Sequence, residues 1–328
     1  MDIDPTALRI GEMREGYESF YAKAHHPAEP LGVWIRYTSL RSSTGTTSSL
    51  WCTLFTADGP VARKVTVARA PSSTAETWIA IDNATFSGEH LAGDALDATW
   101  DLRVDGAEPP LLHLPKAWMY RRAIPRTKPI SPRPSASFTG SVAIGDRAIA
   151  LEDWPGMIGH NWGAEHAERW IWLHAAGLEG RGASTWLDVV LGRIKLGPAT
   201  TPWIANGVLS LDGVRHRIGG IERARATKVA ERHDGASLTL PSTEGPLTVE
   251  VGAPRERFVG WRYAHPDGSE HHVANCSIAD ATITFGGEQL VARAAAAYEL
   301  GAREPLEGIE LQPFGEETEE TRHEGRET

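Results

Sequence analysis

Five Asp-Gly dipeptides punctuate this chain, at Asp58-Gly59, Asp105-Gly106, Asp212-Gly213, Asp234-Gly235 and Asp267-Gly268. Asp-Gly is favoured where a tight hairpin needs positive φ, so turns spread this widely imply antiparallel sheet from end to end. The flanking segments agree. Gly32 to Ser39, Leu50 to Thr56, Val61 to Arg69, Trp170 to Ala176, Thr185 to Gly192 and Phe258 to Ala264 are rich in β-branched and aromatic residues. The pattern predicts an all-β protein of roughly sixteen to twenty strands. Glu288 to Arg303 is the one helical candidate, on its Ala294 to Ala297 run, with a closing strand as the alternative. The proline-rich stretch Pro125 to Pro134 reads as an exposed connection, because proline cannot donate to a ladder. No internal repeat suggests a propeller or solenoid.

At 328 residues the chain has room for two domains of about 150 residues each, a size that suits a β-barrel. The break is expected within Asp153 to Gly163, giving an N-terminal barrel over 1–155, a C-terminal barrel over 156–312 and a disordered acidic tail over 313–328. The net charge is -10, of which Glu316 to Thr328 contributes -4 (six Glu against Arg322 and Arg326). An acidic chain argues against nucleic acid or an anionic membrane as main partner, since both need a basic footprint. No apolar run approaches a membrane span, so integral membrane insertion is not expected. Two cysteines 224 positions apart, Cys52 and Cys276, and a start without a basic and then apolar leader suggest a reducing cytoplasm. Nucleotide loops, the G-x-S-x-G elbow and Cys-x-x-Cys are missing, and no strand shows the paired acids of a jelly-roll glycosidase.

Trp is over-represented, with 12 against 7 Phe and 6 Tyr, and five lie within Asp153 to Gly192: Trp154, Trp162, Trp170, Trp172 and Trp186. The same stretch holds His160, His166, His174 and Asp188. Alternation puts Trp170, Trp172 and His174 on one face of a strand, and Trp186 and Asp188 on one face of the next, across a glycine-rich hairpin loop at Gly177 to Gly182. An even register, such as paired numbers summing to 360, merges the two faces; an odd one separates them. Each Trp could equally be core packing. Asp188, among Trp186, Leu187, Val189 and Val190, must be paired, hydrogen-bonded, protonated or exposed. The His-x5-His and His-x7-His spacings fit no common zinc site, so no metal is expected. The adjacent pairs His25-His26 and His271-His272 read as turn or surface residues.

Gly159-His160-Asn161-Trp162-Gly163, followed by Trp170-x-Trp172, resembles the superfamily of carotenoid 1,2-hydratases, tocopherol cyclases and lipocalin-like pericyclases. The resemblance implies two consecutive lipocalin-like (calycin) β-barrels with a hydrophobic ligand cavity in or between them, and no cofactor. It implies a catalytic set of His160, Trp162, Trp186 and Asp188, with Trp186 standing where the hydratases carry a Tyr. Trp170, Trp172, His174 and Asn161 would then hold the ligand. The implied chemistry is hydration, cyclisation or isomerisation of a polyene, isoprenoid or polyketide-like substrate. Asp188, kept neutral by burial, would be the acid, and indole faces would stabilise the cation. Orientation alone could suffice. A non-catalytic carrier of a lipid or other hydrophobic molecule is the alternative, and a glycan-binding module with exposed Trp platforms is the second.

Overall fold

The computed structural model describes residues 3–197 and 199–312. The fold is all-β, 62% strand and 5% helix, with a curled half-barrel sheet followed by a closed eight-stranded barrel, the arrangement of two lipocalin-like barrels. The expected tail over 313–328 lies outside the described residues.

The first sheet has eleven strands. From one edge it runs Gly59–Val67, Gly45–Thr56, Gly32–Ser42, Gly16–His25, Arg147–Gly163, Thr127–Ile144, Ala98–Asp105 and His90–Ala95, ending in two short strands at Ala84–Phe86 and Ile79–Ile81, while Leu111–Leu112 pairs with Thr127–Ile144 off this path. Its concave face closes over Phe20, Ile35, Tyr37, Leu54, Trp100 and Phe138. The second sheet closes into a ring: Val214–Gly219, Ile204–Leu211, Trp186–Arg193, Arg169–Ala175, Glu288–Ala302, Glu270–Phe285, Gly245–Gly252 and Gly235–Ser242, joined back by Ile218 opposite Ser242. Four of the five Asp-Gly pairs turn hairpins. Asp212 and Gly213 both have positive φ, as a tight turn requires. Asp105-Gly106 opens a longer loop.

Two segments differ from the sequence expectation. Glu288–Ala302 is the barrel's closing strand, because both of its edges are taken by neighbouring strands and its alanines are small enough to be covered on two sides. The helix-favouring run survives only as an irregularity, with Ala294 at φ 48° and its N–H donated to Asp280. Thr127–Ile144 is a central strand of the first sheet, prolines included. Its register shifts between Ile130 and Arg133 and again between Arg133 and Ala136, so Pro132 and Pro134 sit where the ladder is already interrupted. Arg147–Gly163 runs unbroken through residues 155 and 156, and the second sheet begins at Arg169, so the chain changes sheets within 164–168.

The two sheets are packed together. Trp34 and Trp51 of the first meet Trp261 of the second, with Trp51 and Trp261 ring centroids 4.9 Å apart. The Arg217 guanidinium donates to the carbonyls of Leu112 and His113, strapping that segment to the barrel wall. Cys52 and Cys276 are free and buried. Among the described residues no helix is long and apolar enough to cross a membrane.

Candidate functional site

The barrel's interior holds a core of buried apolar side chains. Ile171, Leu173, Ala175, Leu187, Val189 and Leu191 of the hairpin point into its core, and every second residue points outward against the first sheet. The register sums to 362, an even value displaced by two from 360: His174 lies opposite Asp188 and Trp172 opposite Val190. The two aromatic faces therefore coincide. Between that face and the first sheet lies a cavity of about 370 Å³.

Its walls come from both sheets. Tyr21, Trp34, Arg36 and Asn161 belong to the first, and Trp170, Trp172, Tyr263 and Glu299 to the second. Ile124, 65% exposed, stands at the mouth. Glycines make room for the large rings: a side chain at Gly301 would overlap the Trp170 indole, and one at Gly159 the Tyr21 ring. Tyr21 meets Trp172 edge-on, with centroids 5.2 Å apart. His166 stacks between Tyr17 (3.8 Å) and Trp170 (5.1 Å), and neither of its ring nitrogens has a hydrogen-bond partner. Burial, reinforced by His265, Arg36 and His271, pushes its pKa well below the usual range, so the ring is neutral.

Glu299 receives three hydrogen bonds: from the Trp170 indole at 2.9 Å, the Tyr263 hydroxyl at 3.0 Å and the Asn275 amide at 3.1 Å. Burial drives the Tyr263 hydroxyl well above its usual pKa, so it remains a donor. Arg36 donates Nε–H to Ser19 at 2.6 Å and lies over the Tyr263 ring at 4.1 Å; its Nη1 is buried without a partner.

Asp188 lies behind this wall, fully buried and outside the cavity lining. The Trp172 indole donates to its Oδ1 at 3.2 Å, the Ser131 hydroxyl donates to Oδ2, and His113 Nε2 lies 3.4 Å from Oδ2. His113 is held by donating Nδ1–H to the Asn206 carbonyl at 3.2 Å. Burial alone would raise the Asp188 pKa, but His113, His174 and the Ser131 hydrogen bond outweigh it and hold the carboxyl below the ordinary carboxylate range. Where the sequence expectation had burial keep this acid neutral, its partners here favour the ionised form. His174, next to it, donates Nε2–H to the Pro134 carbonyl at 2.9 Å. Burial and the nearby Lys23 push its pKa down to about 4.

The other expected residues disperse. His160 donates Nδ1–H to the Pro5 carbonyl and meets Glu18 through Nε2, both at 2.8 Å, while Glu18 also accepts the Arg9 and Ile10 amides. Trp162, on the same face, lies under Arg9. Strand alternation turns both away from the cavity and leaves only Asn161 of that motif lining it, its Oδ1 buried without a partner. Trp186 packs with Leu111, Ala176 and Val208 under the Arg215 guanidinium. Of the eight expected residues, Trp170, Trp172 and Asn161 line the cavity. Among the described residues no group of three His, Cys, Asp or Glu could hold a metal.

Tyr21, Arg36, Tyr263 and Glu299 escaped the sequence reading, although a charged residue inside an apolar strand was a signal for two of them. Arg36 sits in GVWIRYTS and Glu299 in AAAAYELGA. The histidine pairs were misplaced as surface residues. His25 and His271 are buried, against Lys23 and His265 respectively, because alternation sends one member of each pair inward.

This architecture occurs in proteins already solved. Kievitone hydratase from Nectria haematococca superposes with a TM-score of 0.58 at 7% identity, covering 93% of each chain. An AttH candidate from Nitrosomonas europaea superposes at 0.56 and 13% identity, covering 92% of this chain and 99% of that one. The chain shares their fold. At these identities the likeness is one of fold. In sequence, an uncharacterized protein of Mycobacterium tuberculosis, present in two strains, is 26% identical over 303 residues, covering 87% of this chain and 86% of its own length. No family model matches the chain.

Proposed function

We propose that this protein binds a hydrophobic, unsaturated small molecule of polyene, isoprenoid or polyketide-like type between its two sheets, and adds water to it or closes a ring on it without a cofactor. The observation that carries this reading is the 370 Å³ cavity walled by Trp34, Trp170, Trp172, Tyr21 and Tyr263, with unpartnered polar atoms of Arg36, His166 and Asn161 at its surface. Flat aromatic walls bury a conjugated body, and a few fixed polar groups orient it. That a neighbour of the same fold is a hydratase supports water as the second reactant.

Asp188 does not serve as the acid in this reading, since it is anionic and screened from the cavity by Trp172. Catalysis instead rests on orientation, which can supply several kcal/mol when reacting groups are held in line. Neutral His166 can hold a water molecule, one ring nitrogen accepting and the other donating. Native mass spectrometry of the protein purified from its own source tests the reading. A bound hydrophobic molecule that leaves with an added 18 Da or as a cyclised isomer is expected from hydration or ring closure. A bound molecule recovered unchanged after prolonged incubation makes the protein a carrier, and a bound sugar makes it a glycan module.

A further inference from the structure

The polar groups around the cavity are unequally satisfied, and the inequality describes what the cavity accepts. Glu299, the buried carboxylate of the wall, already has three donors. Arg36 is only 4% exposed and has five N–H donors, of which Nε–H goes to Ser19. Its Nη1 is buried and unpartnered. Around it the surfaces are aromatic: Tyr263 at 4.1 Å, Trp51 at 5.5 Å and Trp34 at 5.7 Å from the guanidinium carbon. Rings hold the cation in place without using up its N–H groups. A buried guanidinium with an idle donor is costly unless something arrives to accept its hydrogen bond.

We propose that Arg36 is the subsite for a delocalised oxygen anion, so that the ligand is a conjugated or aromatic molecule bearing a carboxylate, phenolate or enolate group. This rests on the cavity being the binding site, as proposed above. The guanidinium fork suits two oxygens, or one oxygen with two lone pairs, and the aromatic box around it excludes competing water. Glu299 already accepts three hydrogen bonds and, among the described residues, makes no ion pair with Arg36 although both line one cavity. The unpartnered acceptors of the lining, the Asn161 amide oxygen and one ring nitrogen of neutral His166, carry no charge and suit a hydroxyl or water donor.

The test compares retinoate with methyl retinoate, which share a polyene body and differ in the anionic group, by quenching of tryptophan fluorescence at pH 7.5. Retinoate is expected to bind about tenfold to a hundredfold more tightly, the worth of a charge-assisted hydrogen bond out of water. In Arg36→Gln the preference should vanish while the ester still binds, and in Arg36→Lys, which keeps the charge but loses the fork, it should fall part-way. Equal binding of both probes to the unaltered protein overturns the anion subsite and leaves the cavity reading standing. A preference that persists in Arg36→Gln also overturns it and transfers the role to Arg126 or Lys195, which line the same cavity. If neither probe quenches, the cavity reading falls and the subsite with it. Should Arg36→Gln fail to fold, the unaltered protein and Arg36→Lys decide the matter.

Discussion

Trp170 and Trp172 stand two residues apart on one face of one strand, and each donates its indole N–H to a carboxylate, yet the two carboxylates live in different settings. Glu299, which takes Trp170, is surrounded by neutral donors and opens onto the cavity. Asp188, which takes Trp172, is closed in by Ser131 and His113 and reaches no open space. A repeated local pattern has thus produced a wall and its brace. The first carboxylate shapes what a ligand meets; the second fixes the indole that the ligand meets. Burial of the acid, read from its neighbours in sequence, could not distinguish these roles, because the partners come from strands and loops far away in the chain.

Removing each brace should separate them. Asp188→Ala is expected to lose about 2–6 kcal/mol in urea unfolding at pH 7, because it leaves the buried Trp172 indole and Ser131 hydroxyl without their acceptor at about 1–3 kcal/mol each. Glu299→Ala should lose less, because water in the cavity can take the freed hydrogen bonds; equal losses would break the distinction. Proton linkage is the next effect. His174 is held near pKa 4 against 6.5 unfolded, so unfolding takes up a proton between these values, and the stability present above pH 6.5 declines as pH falls to about 4. The shift amounts to roughly 3 kcal/mol, and His174→Gln should flatten that slope in denaturant titrations across pH 4–7. Because Asp188 favours the charged imidazole, the window should extend further into acid in Asp188→Ala. Trp172→Phe should cost about 1–2 kcal/mol by leaving an Asp188 oxygen short of a donor in a closed site. Trp170→Phe is the smallest, under about 1 kcal/mol, since its Glu299 oxygen faces the cavity. Reversal of these last two, read from the same urea midpoints, would mean that Trp172 faces the open site and Trp170 the closed one.

Much of the architecture was legible in the sequence, because turns and alternation are local. Four Asp-Gly hairpins fall as expected, and the even register that joins Trp172 to Asp188 was one of two stated possibilities. The errors came where tertiary partners override local preference. Alanines 294–297 form strand because both edges are paired, and Pro132 and Pro134 enter a central strand at shifts of its register. The site was half legible for the same reason. Strand period puts Asn161 on the cavity side and sends His160 and Trp162 to the opposite side, toward Glu18 and Arg9. Arg36 and Glu299, 263 positions apart, could be brought into one cavity only by the packing of the two sheets.

That cavity draws its walls from two sheets whose strands are joined through the short segment 164–168. An occupant lying against Arg36 on one side and Trp172 on the other becomes a rivet between them. Its affinity then adds directly to the resistance of the sheets to parting, by RT ln(1 + [L]/Kd), so a bound protein should melt at a temperature that climbs with ligand concentration. Half of the chain, expressed alone, would present one plate of the joint with nothing for the rivet to grip.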